Sequence, residues 1–197
     1  MPAMPPVTQA LLLVNVAAFF LDQLLLGGLL SRWLALWPLD HGFMPWQMAS
    51  YAFLHGSMMH LFFNMLGLWM FGAELERVWG QKRFLQFYAA SVLAAAAMQL
   101  LVNMLLGSPH PTVGASGGLF GLLLAFGMMF PNRTIMPLFP PIPMKAKTFV
   151  AVYGGLELVL GVTGTQSGVA HFAHLGGMLG GYLMIRYWRG QPPFGRR

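Results

Sequence analysis

Five polar side chains sit inside strongly apolar stretches of this sequence, and their types and spacing could perform acyl-transfer chemistry. His60 and Asn64 are four residues apart, so a helix would carry both on one face. Each can donate a hydrogen bond, and two donors one turn apart suit a developing oxyanion. Read alone, Asn64 fits interhelical glue and His60 fits either role. Ser116 lies in the string Gly114-Ala115-Ser116-Gly117, where glycines clear space for a substrate backbone. His171 and His174 occupy the last apolar run. A neutral imidazole within reach of a serine hydroxyl can take its proton. His174 is the expected base, because His171 would lie a turn nearer the surface as a solvated or structural histidine.

The positions of these residues depend on the elements that carry them. The chain has 197 residues, of which 57% are hydrophobic and only 8% charged. So little charge cannot solvate a globular surface, which places the chain in a bilayer. Six apolar runs are long enough to be read as membrane helices: residues 7–30, 55–73, 84–106, 115–130, 148–164 and 169–187. The fold class expected is all-α, a polytopic six-helix membrane bundle forming a single domain over residues 1–197. The first connection, residues 31–54, holds Trp33, Trp37, Trp46 and Tyr51, the residue types of a headgroup layer. Residues 74–83 read as a charged turn, and residues 131–147 as a proline-rich loop.

Arg77, Lys82 and Arg83 follow the second run, Arg133, Lys145 and Lys147 the fourth, and Arg186, Arg189, Arg196 and Arg197 end or follow the sixth. Arg32 alone lies on the other side. The positive-inside rule then puts both termini in the cytoplasm. The second, fourth and sixth runs each begin at the outer face, and each carries polar residues near that beginning. Gly117 and Gly121, Gly177 and Gly181, and Gly176 and Gly180 form small-residue pairs that allow close helix packing. Packing the fourth run against the sixth brings Ser116 towards His174. Neither Asp22, Asp40 nor Glu157 is visibly placed to orient the histidine, so a dyad is expected rather than a triad. Glu157 reads as a gate or a structural contact.

There are no cysteines, which excludes a thiol nucleophile and thiolate metal sites. No cofactor is expected, and no metal. His55, His60, His171 and His174 lack a ligand spacing such as His-Glu-x-x-His. The net charge of +6 is topogenic, and no basic stripe with interleaved aromatics points to nucleic acid. The N-terminus has no charged signal-peptide region, so the first run is expected to be retained.

The stretch from Trp46 through His55, His60 and Asn64 to Met65 resembles the rhomboid family. So do Phe71-Gly72-Ala73-Glu74-Leu75-Glu76-Arg77-Val78-Trp79-Gly80, Gly114-Ala115-Ser116-Gly117 and Ala173-His174-Leu175-Gly176-Gly177-Met178-Leu179-Gly180-Gly181. The resemblance implies an intramembrane serine endopeptidase of the minimal six-span form, acting on single-span or polytopic membrane proteins within the lipid bilayer. It maps Ser116 to the nucleophile and His174 to the base. His60, Asn64 and the Ser116 amide map to oxyanion stabilisation. His55 matches a histidine that supports the first loop, and Glu76, Arg77, Gly117, Gly177 and Gly181 fall in supporting positions. A movable fifth span admitting substrate laterally is also implied. The expected location is a bacterial inner membrane, with the site open to the outer face. Competing readings are a transporter or channel using the polar residues as a proton path, and a non-catalytic membrane chaperone of the same fold.

Overall fold

The computed structural model describes residues 3–138, 141–164 and 170–195. The expected start of the sixth run at Val169, and the tail residues Arg196 and Arg197, lie outside the described residues. The architecture is a helical bundle. α1 (Pro6–Phe20) begins with proline at its first position, where the missing amide is no loss. It continues through a π turn, Leu21–Leu25. Gly27 and Gly28 then take positive φ of 55° and 86°, so the chain breaks before the short α2 (Leu29–Leu34). The sequence expectation of one helix to residue 30 is thereby shortened. Asp22 secures the break, accepting from the Leu30 amide at 2.8 Å and the Ser31 hydroxyl at 2.6 Å.

After α3 (Gln47–Ser50) and a 3₁₀ turn, Tyr51–Phe53, α4 spans Met58–Gly67. Ser57 caps α4 by accepting from the His60 amide, so the helix starts later than the expected residue 55. Through the π turn Leu68–Gly72, α4 runs into α5 (Ala73–Leu106). Gly80, at φ 75° and ψ 166°, divides this stretch. Only glycine tolerates that conformation. Beyond it the chain doubles back, because Phe84 packs 3.4 Å from where a Cβ on Gly72 would lie. The expected charged turn at 74–83 is therefore mostly helix, with the reversal carried by one residue.

α6 (Ser116–Met129), α7 (Ala146–Thr163) and α8 (His171–Trp188) complete the bundle. Two short strands, β1 (Thr134–Ile135) and β2 (Met144–Lys145), pair antiparallel between α6 and α7, inside the segment read as a loop. Among the described residues, three helical stretches are long and apolar enough to cross a membrane: Pro6–Leu25, Met58–Leu106 and Ala146–Thr163. The middle one, 49 residues long, supplies two legs. Leu24, Leu106 and Val162 stand more than 70% exposed, as residues of a lipid-facing surface do. The chain is an integral multi-pass membrane protein.

Small residues set the spacing at the centre. Gly176 and Gly180 face the Ala94 region of α5, where an added Cβ would fall within 2.9 Å of backbone oxygens. Gly177 and Gly181 face Gly117 and Gly121 of α6 instead. Two adjacent glycine stripes thus let α8 pack against two helices at once.

Candidate active site

Ser116 is the first residue of α6, where the amides have no partner one turn back. The approach to it is fixed by backbone. Gly114 takes φ 132° and donates its amide to the Tyr51 carbonyl at 3.0 Å. A Cβ at Gly114 would sit 2.8 Å from the His60 imidazole. Glycine is therefore required there by both conformation and space. Upstream, Leu36 and Thr112 exchange backbone hydrogen bonds of 3.0 and 2.9 Å, joining the first loop to the segment that leads into Ser116.

His174 lies in the first turn of α8. Its Nε2 is 2.8 Å from Ser116 Oγ. The ring lies flat on Phe120, with centroids 4.3 Å apart and planes 7° apart. Phe120 is one turn beyond Ser116, so α6 supplies both the hydroxyl and the platform that fixes the imidazole plane. Sequence reading missed Phe120. Its signal was an aromatic at i+4 from the serine.

On the far side of the ring, His174 Nδ1 lies 2.8 Å from Glu157 Oε2. The same oxygen is 2.7 Å from His171 Nδ1. This corrects the expectation that no carboxylate is placed to orient the histidine. The error arose because Glu157 sits on α7, whose register relative to α8 is set by tertiary packing. His171 is also not solvated. It is 5% exposed, turned onto Glu157, and its Nε2 has no hydrogen-bond partner among the described residues. The ligand atoms of Glu157, His171 and His174 lie within 4.8 Å of one another, a spacing that could hold a cation. Here they satisfy one another by hydrogen bonds. The group differs from the four histidines weighed as ligands from sequence, since His55 and His60 belong to the opposite wall.

His60 and Asn64, on α4, line a cleft of about 560 Å³ together with Ser116, Phe120 and His174. Asn64 Nδ2 donates to the His60 carbonyl at 2.8 Å, and Asn64 Oδ1 has no partner among the described residues. An amide nitrogen carries two donors, so one remains. His55 is buried, and neither ring nitrogen is hydrogen-bonded among the described residues. Its contact is with the His60 ring, edge on, at 5.0 Å between centroids. A groove of about 620 Å³ adjoins the cleft through Phe63, Leu119 and Phe120, and runs between α4, α6 and α7.

The structure brings Ser116, His174, His60 and Asn64 to one cleft, with Gly117 and Gly177 behind them. Gly181 lies one turn further along α8 against Phe87 and Gly121. Glu76 and Arg77 are elsewhere. Glu76, 2% exposed, accepts from the Val7 amide at 3.0 Å and from the Thr8 amide and hydroxyl at 2.7 Å each. It caps α1 from a neighbouring helix. Arg77 reaches the Ala3 carbonyl at 3.4 Å and lies 3.9 Å from Glu74, which also pairs with Arg133 at 2.6 Å.

Comparison with known proteins identifies the frame that carries this cleft. The Rhomboid domain model matches residues 42–190. The chain is 33% identical over 177 residues to Rhomboid protein 1, mitochondrial, of Saccharomyces cerevisiae, covering 88% of this chain and 51% of that one. It is 31% identical over 144 residues to Rhomboid protease GluP of Bacillus subtilis, covering 70% of this chain and 25% of that one. It is 27% identical over 186 residues to Rhomboid protease GlpG of Yersinia enterocolitica, covering 93% and 62%. The chain thus spans between a quarter and about three fifths of the length of these relatives. The match over residues 42–190 takes in every side chain of the cleft, and the chain belongs to the rhomboid family.

Proposed function

We propose that this protein is an intramembrane serine endopeptidase in which Ser116 is the nucleophile and His174 the general base. The observation that carries the reading is the 2.8 Å contact between Ser116 Oγ and His174 Nε2, held at a helix start within a membrane bundle. In the tautomer with the proton on Nδ1, the Nε2 lone pair faces the serine hydroxyl. Ser116 Oγ attacks the scissile carbonyl carbon as its proton passes to Nε2. The carbonyl oxygen becomes an oxyanion, stabilised by His60, the remaining Asn64 N–H and the Ser116 amide. As the peptide C–N bond breaks, His174 returns the proton to the leaving amine. Water, deprotonated by His174, then releases the acyl group and regenerates the serine.

The substrates are single-span or polytopic membrane proteins. A substrate helix seated in the apolar groove between α4 and α7 would unwind beside Ser116, since a carbonyl locked in a helix cannot be attacked. Substrate would enter laterally past α7. We place the cleft at the outer face of a bacterial inner membrane, with both termini cytoplasmic. Support comes from the basic residues, which cluster at the opposite end: Arg133 pairs with Glu74, and Arg83 lies 5.9 Å from the Trp188 ring centre.

The test is cleavage of fluorogenic single-span substrates in proteoliposomes, comparing the wild type with Ser116→Ala and His174→Ala. Cleavage is expected in the wild type and background in both variants. A fluorophosphonate probe should label the wild type and leave Ser116→Ala unlabelled. Cleavage surviving in Ser116→Ala would refute the assignment.

A further inference from the structure

α7 is held into the bundle mainly at its beginning. Its buried residues are Ala146, Phe149 and Val150, and from position 151 to 163 no residue is buried. Glu157 stands out in this lipid-facing half. Its side chain is 13% exposed, whereas Leu156 and Leu158 beside it are 49% and 51% exposed. A carboxylate turned inward from such a helix is costly unless it is hydrogen-bonded. Here a single oxygen, Oε2, accepts from His174 Nδ1 at 2.8 Å and from His171 Nδ1 at 2.7 Å.

These contacts have chemical consequences. A carboxylate accepts only, so both imidazoles carry their proton on Nδ1. That leaves His174 Nε2 with a lone pair facing Ser116 Oγ, as a base requires. When Nε2 gains the serine proton, the imidazolium is formed against a fixed negative charge. Among the described residues His171 Nε2 has no hydrogen-bond partner, so the polar contact its ring makes there is the one that holds Glu157. This half of α7 also meets α8 at two glycines, and a Cβ at Gly154 would lie 3.2 Å from the Met178 side chain. Gly161, one turn beyond Glu157, lies where a Cβ would be 3.1 Å from the Phe172 ring and 3.2 Å from His171 Cβ.

We propose that Glu157 is the positioning residue of His174, and that its place on α7 makes the orientation of the base depend on how closely α7 packs against α8. The proposal rests on the reading of Ser116 and His174 as nucleophile and base. Displacing α7 outward withdraws the carboxylate while leaving serine and histidine on α6 and α8, so the site loses reactivity without losing either reacting group.

The experiment measures fluorophosphonate labelling rate, and kcat and KM on a fluorogenic single-span substrate, in proteoliposomes of the full chain. Glu157→Gln keeps the shape but removes the charge and offers an amide donor to Nδ1. It should slow labelling and kcat together by about 100-fold or more, with KM within about threefold. Glu157→Asp retains the charge and should label faster than Glu157→Gln. Gly161→Leu, which crowds Phe172 and pushes α7 away, should slow labelling by about tenfold in the wild type. It should add nothing in the Glu157→Gln background, because both act through one contact. Thermal unfolding midpoints accompany each variant, and the comparison of Glu157→Asp with Glu157→Gln stands even where both are less stable. Glu157→Gln labelling within threefold of wild type, or faster than Glu157→Asp, overturns the positioning role. Multiplicative effects of Gly161→Leu and Glu157→Gln overturn the dependence on α7. Either result with Ser116→Ala and His174→Ala inactive leaves the nucleophile and base untouched. An active Ser116→Ala refutes that underlying reading, and this proposal with it.

Discussion

Gly177→Ala adds one methyl group where α8 crosses α6, and its effect can be worked from the structure. The new Cβ would overlap the Gly117 carbonyl oxygen and lie 2.7 Å from its carbon. Carbon atoms pack best at about 3.5–4.0 Å, so the two helices must separate by roughly 1 Å. Gly117 follows Ser116 directly and Gly177 is three residues from His174, so the separation falls on the contact between them. Their 2.8 Å hydrogen bond would open beyond useful reach. A misplacement of about 1 Å costs about 100-fold in rate, and overpacking costs about 1–3 kcal/mol of stability. The assay is kcat on a fluorogenic single-span substrate in proteoliposomes, with thermal unfolding in parallel. Gly155→Ala is the control, because a Cβ there meets nothing within 4 Å. A Gly177→Ala variant within threefold of wild type would show that the close crossing does not set the geometry of Ser116 and His174.

Further predictions follow from other contacts. Asn64→Ala removes one donor from the cleft and should lower kcat by about 100-fold with little change in KM. A rise in KM at constant kcat would assign Asn64 to substrate binding instead. Glu76→Ala strands three donors at the start of α1 and should cost about 3 kcal/mol in thermal unfolding, while activity of the folded fraction stays within threefold. Unchanged stability would mean that water replaces the carboxylate. Tyr51→Phe removes the 2.9 Å hydrogen bond to the Val92 carbonyl and should cost about 1 kcal/mol. A loss several times larger would reveal that the hydroxyl also supports Gly117, whose Cβ position lies 3.2 Å from it.

Much of the bundle was readable because the bilayer imposes a length and an apolar composition on each helix. The glycine spacing on α6 and α8 also announced a close crossing, since small residues four apart have few other uses in such helices. The break at Gly27 and Gly28 was hidden, because an apolar run gives no sign of where backbone conformation interrupts it. A turn was expected at 74–83, but not that the segment is mostly helix with the reversal at Gly80 alone. Glu157 was misjudged, and the partners of Glu76 on α1 were not foreseen, for one reason. A buried carboxylate is explained by the donors it meets, and both meet donors on other helices. Spacing along one helix cannot supply that. Phe120 was closer to hand, one turn from Ser116, but an aromatic residue in an apolar run carries no mark of what it stacks upon.

The paired backbone of Leu36 and Thr112 has a mechanical meaning. Two reciprocal hydrogen bonds, and a third from Gly114 to Tyr51, splice the tryptophan-bearing loop to the last residues before Ser116. Trp33 and Trp46, each about half exposed on that loop, are the side chains that grip a headgroup layer. The loop is thus a stiff lever with its handle in the lipid interface and its tip at Ser116. Lateral pressure in the surrounding leaflet would act on the handle, and bilayer composition would then be an input to serine placement even with every helix in position.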